Sequence, residues 1–287
     1  MLILAIETTG PKASAALIDE AGVLTEKISP DEMNHLKGLT LLLDELLDER
    51  GVTINDVSHI AVSEGPGSFT GIRIGVSTAR ALAQVTGTET IGVPTLESFV
   101  YNRADSSGIV CPVFDARREQ VYSGAFAPGE DGRPLSVIES KAWAPRELFG
   151  RLADLAAGRP VDAPGTGSQN VTRMEYGGAY KGWPVDVAPL ITFFGDGVSL
   201  CRAMIAELQT AAAEHGVMVD TAEAEESFQR ASSVARLASA MLKDGCQKPF
   251  SALLPVYMRK AEAERKLEER LAAERLAAEL EKQERGV

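Results

Sequence analysis

The residues able to do chemistry are few, and most sit in one glycine-rich run, Gly65-Pro66-Gly67-Ser68-Phe69-Thr70-Gly71-Ile72-Arg73-Ile74-Gly75. A turn of this kind entering a helix exposes backbone N–H groups at the positive end of the helix dipole, which suits a phosphate. The spacing G-x-G-x-x-x-G is one residue longer than the dinucleotide pattern, and no G-K-[ST] follows to supply a P-loop lysine and a metal-binding hydroxyl. A packing reading accounts for more of the residues. Gly71, Gly75, Ala79 and Ala83 recur every four positions and give a helix a smooth edge, on which another helix of the same or a different chain can approach closely. Ser68 and Thr70 could act as nucleophiles, yet no His or Lys base is near in sequence and the following helix needs a capping hydroxyl there.

His35, His59 and His215 stand far apart with no H-x-x-x-H or H-E-x-x-H, so no histidine metal site is expected. His59 opens a strand and His215 a helix end, both structural settings, which leaves His35 as the histidine to watch. Glu7, ending the first strand before Thr8-Thr9, could hold a hydrated magnesium near a nucleotide phosphate or serve as a turn residue. Asp44, Glu45, Asp48 and Glu49 read as the solvated face of a helix. Cys111, Cys201 and Cys246 form no C-x-x-C and read as core fillers. No carboxylate pair, metal cluster or activated nucleophile emerges, so no catalytic or metal residue is assigned.

These residues need elements to position them. Leu2 to Thr8, Ala13 to Asp19 and Val23 to Ile28 read as an antiparallel meander. Leu36, Leu39, Leu42, Leu43, Leu46 and Leu47 recur at helical spacing and stop at Arg50-Gly51. A strand from His59, a helix over Ile72 to Thr86, a strand over Thr90 to Val93 and a helix from Pro94 complete a βββαβαβα order, a mixed sheet covered by helices. Leu41 adds an apolar residue off the main stripe of the first helix, which favours a contact between subunits through this helix pair. A second, less regular copy starts at Ile109 to Asp115 and Gln120 to Ala127. Irregular connections over Gly158 to Pro189 precede a strand at Leu190 to Gly195 and helices over Val198 to Ala213 and Ser227 to Lys243. From Arg259 onward eight Lys/Arg and eight Asp/Glu fall among Ala and Leu, which predicts an exposed charged helix without a heptad seam. The expected division is therefore a lobe over 1–104, a second over 105–258 and an extension over 259–287. The net charge of −12 argues against autonomous nucleic-acid binding, so contact with RNA is expected only through a partner. The sequence holds no apolar run of membrane-spanning length, and its start has no secretory signal, giving a soluble, cytoplasmic expectation.

Ile3-Leu4-Ala5-Ile6-Glu7-Thr8-Thr9, the glycine-rich run, Gly92-Val93-Pro94-Thr95-Leu96-Glu97 and Asp115-Ala116-Arg117-Arg118 with Gln120-Val121-Tyr122 resemble the TsaB family of the bacterial tRNA threonylcarbamoyladenosine machinery. The resemblance covers about residues 1 to 125 and, more loosely, Pro255-Val256-Tyr257-Met258-Arg259. It implies an α/β fold of two actin-like (ASKHA, ribonuclease H-like) lobes with mixed sheets. It also implies a non-catalytic role beside TsaD, which transfers threonylcarbamoyl to the adenosine next to the anticodon, with TsaE as ATPase partner and tRNA reached only indirectly. TsaD-like chains carry a metal-binding His-x-x-x-His where this sequence reads His35-Leu36-Lys37-Gly38-Leu39, and Pro11-Lys12 stands in place of a glycine-rich phosphate hairpin. No intrinsic cofactor is therefore expected, and a nucleotide only at a junction with partners. The family's first two helices pack on TsaD, or on a second copy in a homodimer when TsaD is absent, which makes Leu36, Leu39, Leu43, Gly71, Arg73, Gly75, Ala79 and Ala83 the expected interface. The rival expectation is an actin-like kinase, ATPase or peptidase.

Overall fold

The computed structural model describes every residue except 31–34, 103–107, 130–132, 160, 162–187, 225, 260–269 and 271–287, and of residues 35–37 the backbone alone. The chain forms two compact units, Met1–Val256 and Tyr257–Val287, and of the second only 257–259 and Arg270 are described. The irregular connections expected over 158–189 and the charged helix expected over 259–287 fall almost wholly outside the described residues.

The first unit holds two five-stranded sheets of one topology. In the first, β1 (Leu2–Glu7) pairs antiparallel with β2 (Ser14–Asp19), which pairs antiparallel with β3 (Leu24–Ile28); on its other side β1 runs parallel to β4 (His59–Gly65), and β4 parallel to β5 (Glu89–Pro94). The second repeats the plan with β6 (Ile109–Asp115) at its centre. There β7 (Val121–Pro128) and β8 (Pro134–Trp143) form the antiparallel arm, and β9 (Leu190–Phe194) and β10 (Met218–Thr221) the parallel arm. The duplicated mixed sheet is the architecture the actin-like resemblance implies. Phe99 ties the two together, its ring 5.4 Å from Phe114 and 5.6 Å from Phe194 of the second sheet.

The helices cover the faces by burying continuous apolar stripes. One face of the first sheet receives α1 (His35–Arg50) and α2 (Phe69–Thr86), with Leu39, Leu43, Leu46, Ile72, Val76 and Ala79 in one core with Leu4, Ile6, Leu17 and Val62. Ser68 caps α2 by accepting from the Gly71 N–H at 3.3 Å, the role expected of it, and Gly87 closes the helix in the left-handed conformation with its N–H on the Ala83 carbonyl. The helix expected from Pro94 is short, α3 (Thr95–Ser98), followed by a 3₁₀ turn. On the second sheet lie α4 (Pro145–Ala156), which sequence reasoning missed, and α5 (Arg202–Ala213), with Phe149 stacked on Phe193 at 5.3 Å.

The last helix, α6 (Ala231–Lys243), departs from the expected division. It packs on the other face of the first sheet, where Val234, Leu237, Ala238 and Met241 meet Ile3, Ala5, Ile91 and Val93. Glu26 on β3 accepts from the Ser232 N–H at 2.8 Å and pairs with Arg230, while Ser14 Oγ accepts from the Ala231 N–H at 2.9 Å. Carboxylate and hydroxyl thus satisfy donors at the positive helix end. A strap then follows. Thr90 and Lys248 exchange backbone hydrogen bonds at 2.8 Å, and the Val256 N–H donates to the Glu64 carbonyl at 2.7 Å. The first sheet, whose strands lie within Leu2–Pro94, is therefore closed on its second face from position 231 onward.

Candidate functional site at the carboxyl end of the first sheet

The glycine-rich run lies where β4 hands over to α2, against the Thr8-Thr9 turn that leaves β1. A Cβ on Gly71 would stand 1.9 Å from the Thr8 carbonyl oxygen, one on Gly75 2.4 Å from Thr8 Oγ1, and one on Gly67 2.6 Å from Thr9 Cβ. Thr8 Oγ1 donates to the Gly71 carbonyl at 2.7 Å, and the Ser68 N–H donates to the Thr9 carbonyl at 2.9 Å. The cradle that glycines open for a phosphate in other proteins is filled here by the chain's own β1–β2 turn.

This corrects most of the expected interface. Gly71, Gly75, Ala79 and Ala83 are buried, and their small-residue edge receives a strand and its turn rather than a partner helix. Leu39 and Leu43 point into the same core at 2% and 6% exposure. Arg73 is exposed, its guanidinium 4.0 Å above the Phe69 ring. The side chains of His35 and Leu36 lie outside the described residues. What the pair does turn outward is a stripe on α2, Phe69, Arg73, Ser77, Ala81 and Val85, and on α1 Leu41 beside Asp44, Glu45, Asp48 and Glu49.

Glu7 is fully buried and occupied by its own chain. Oε1 accepts from the Thr9 N–H and from Thr9 Oγ1 at 2.6 Å, and Oε2 accepts from Ser63 Oγ. Burial holds its carboxyl above the usual carboxylate range against those hydrogen bonds, so it is a latch between β1 and β4 and a poor ligand for magnesium. The nucleotide or metal role expected of Glu7 does not fit this arrangement.

Sequence reasoning missed an ionic cluster at the end of β4 in which Glu64, Glu97 and Arg133 are buried, because its members are separated by up to 184 positions. Glu64, at the end of β4, accepts from Lys248 Nζ at 3.3 Å; burial raises its pKa and Lys248 lowers it. Gly92 on β5 makes room, since a Cβ there would stand 1.9 Å from Glu64 Oε2. Glu97, 8% exposed on α3, is pushed up to about 7 by burial, opposed by Arg133 and reinforced by Glu64. Arg133, itself buried, pairs with Asp244 at 2.8 Å. The one available signal was Glu97, an acid that directly follows Gly92-Val93-Pro94-Thr95-Leu96. The cluster can exchange a proton near neutrality and hold the strap to the sheet. Among the described residues no group of three or more His, Cys, Asp or Glu side chains could hold a metal. Cys111, pushed up to about 12 by burial, is no nucleophile.

The chain is 38% identical over 126 residues to the tRNA threonylcarbamoyladenosine biosynthesis protein TsaB of Bacillus subtilis, covering 44% of this chain and 55% of that protein. It is 33% identical over 135 residues to TsaB of Escherichia coli, covering 46% and 58%. The matched part thus spans little more than half the length of these curated relatives. A solved structure from Pseudomonas aeruginosa, described as similar to the peptidase YEAZ, shares the fold with a TM-score of 0.66 at 22% identity over 90% of this chain and 99% of that one. No helix among the described residues is long and apolar enough to cross a membrane. The model of the family TsaD, tRNA N6-adenosine threonylcarbamoyltransferase, matches residues 22–267, and the chain belongs to that family.

Proposed function

We propose that the chain is a non-catalytic subunit in the formation of N6-threonylcarbamoyladenosine next to the tRNA anticodon, acting in the cytoplasm by assembling with and activating a TsaD-type catalytic subunit, with TsaE as a further partner. The observation that carries the reading is Leu39. It stands four residues after His35, so no second histidine follows one helical turn on, and its side chain is committed to the core. A chain of the transferase family that has spent this position on packing is suited to support a catalyst rather than to be one. The names of these relatives support the same process.

The surface for assembly is the outward side of α1 and α2. Val85 is 86% exposed, Leu41 63% and Phe69 43%, large apolar residues whose removal from water would contribute about 25 cal/mol per Å². The small Ser77 and Ala81 between them allow a facing helix to come close. The same face serves a second copy when the catalytic subunit is absent. The chain supplies no cofactor, and a nucleotide enters only where subunits meet; tRNA is held by the assembly. Val85→Glu and Leu41→Glu, coexpressed with the TsaD-type subunit, are expected to abolish co-elution on size exclusion while the variant melts within about 1 °C of wild type, as exposed substitutions do. Retained complexes would contradict the reading.

A further inference from the structure

Glu97 sits where the two sheets meet. Its helix, α3, packs against β4 and β5 of the first sheet, β7 and β8 of the second, and α6. The carboxyl is 8% exposed, and among the described residues it accepts no hydrogen bond and forms no ion pair. A carboxyl so placed resists ionisation until a cation is brought to it. Several elements bring charged or titratable groups toward it. β4 brings Glu64, already paired with Lys248 of the strap, and β8 brings Arg133. The 3₁₀ turn after α3 brings Tyr101, whose hydroxyl burial pushes up against the pull of Arg133 and of Arg236 on α6. β7 carries no charge, and the one acid of β5, Glu89, is exposed at the far end of its strand. Arg133, itself buried, is thus the cation that acts on Glu97, and it is engaged elsewhere. Its Nη1 donates to Asp244 Oδ2 at 2.8 Å, at the root of the strap, with Cys246 Sγ 3.8 Å from the same nitrogen. The Asp244 side chain is 53% exposed, so water can replace the guanidinium there at little cost. Two carboxyl groups, one buried and one half in water, share one buried guanidinium.

We propose that Glu97 and Asp244 compete for Arg133, so that loss of the Glu97 proton to solvent draws the guanidinium from Asp244 to Glu97 and unties the strap over 244–256 from the second sheet. With Glu97 neutral, Arg133 holds Asp244 and pins the strap's root to the start of β8. With Glu97 ionised, an unpaired buried carboxylate costs far more than a hydrated Asp244, and the guanidinium goes where the cost is greater. The neighbouring Glu64 adds to that cost, since Lys248 already answers its charge. Burial pushes Glu97 up to about 7, which sets the exchange near neutrality. The untied strap keeps its backbone bonds to Thr90 and Glu64 but opens from them more often.

The test is amide hydrogen exchange of the full chain at pH 6 and pH 8.5, corrected for intrinsic exchange and read on peptides spanning 244–256. The folded carboxyl titrates at about 7 against an ordinary 4.5, so protection of the strap is complete at low pH and is lost as pH rises through 7. Wild-type protection is expected to fall about tenfold between the two conditions, the ratio that this pair of values gives for one linked proton. Glu97→Gln, neutral throughout, should hold the wild-type pH 6 protection at pH 8.5. Asp244→Asn removes the competitor from an exposed position: its strap should exchange at pH 6 as the wild type does at pH 8.5, with the pH dependence gone. The same variant frees Arg133 for Glu97, so the Glu97 midpoint, followed by carboxyl-carbon NMR and assigned with Glu97→Gln, should drop below that of wild type. A buried acid with a merely structural role would leave that midpoint unmoved by a change at Asp244. Three results would overturn the proposal: strap protection independent of pH in the wild type, the same pH dependence in Glu97→Gln, or an unchanged Glu97 midpoint in Asp244→Asn.

Discussion

At the scale of single residues, the glycines and the buried acids carry the most information. Gly71 admits a backbone carbonyl where any Cβ would stand at 1.9 Å, and that neighbour is main chain that cannot swing away. Gly71→Val should therefore destabilise the isolated chain by about 2 kcal/mol or more, read from urea unfolding, since overpacking a closed core forces backbone shifts. A variant as stable as wild type would mean the run packs against something outside the chain. Glu97 makes a second residue-scale prediction. Its folded carboxyl titrates at about 7 against an ordinary 4.5, so the native state binds more protons between those values. The associated stability is fully present below 4.5 and is lost as pH rises through 7. Glu97→Gln, neutral throughout, should match wild type near pH 4.5 and exceed it by roughly 3 kcal/mol at pH 8.5, at 1.36 kcal/mol per unit. Parallel stability curves for the two proteins would contradict the assignment. The cap at Ser68 was legible because its chemistry is local in sequence. The roles of Glu7 and Glu97 were not, because each depends on strands that the chain brings together from far apart.

Elements show what periodicity can and cannot supply. The four-residue recurrence of Gly71, Gly75, Ala79 and Ala83 correctly marks a face that something approaches closely, but spacing does not say whether the approaching surface is a helix or a strand turn. Leucine spacing in α1 likewise identifies its buried stripe, and among the leucines whose side chains are described Leu41, off that stripe, is the exposed one. The helix α6 looks in sequence order like part of the second half. Its apolar residues nevertheless close the first sheet, and Glu26 and Ser14 on that sheet cap its start. Deletion of residues 231–256 should therefore leave Ile3, Ala5, Ile91 and Val93 bare, giving a chain without a cooperative melt that binds a hydrophobic dye. A deletion variant with a sharp transition near that of wild type would show the first sheet to be self-sufficient.

Across the whole molecule, one five-strand plan appears twice, and the copies have diverged in how their carboxyl ends are used. In the first, the turn after the central strand is buried under glycines and latched by Glu7. In the second, the corresponding turn is an exposed, strained hairpin bearing two arginines. The first copy was legible as a βββαβαβα order because its elements are short, regular and separated by clear turn residues. The second was legible only at β6, β7, β9 and the helices after it, since β8 lacks clean alternation and α4 follows it without a polar break. The proposed role, support of a catalyst by a chain that is not one, is tested by threonylcarbamoyl transfer to an unmodified tRNA by the organism's TsaD-type subunit and TsaE, measured with and without this chain. The account predicts strong dependence on the chain and no transfer by the chain alone; undiminished transfer in its absence, or transfer by the isolated chain, would contradict it.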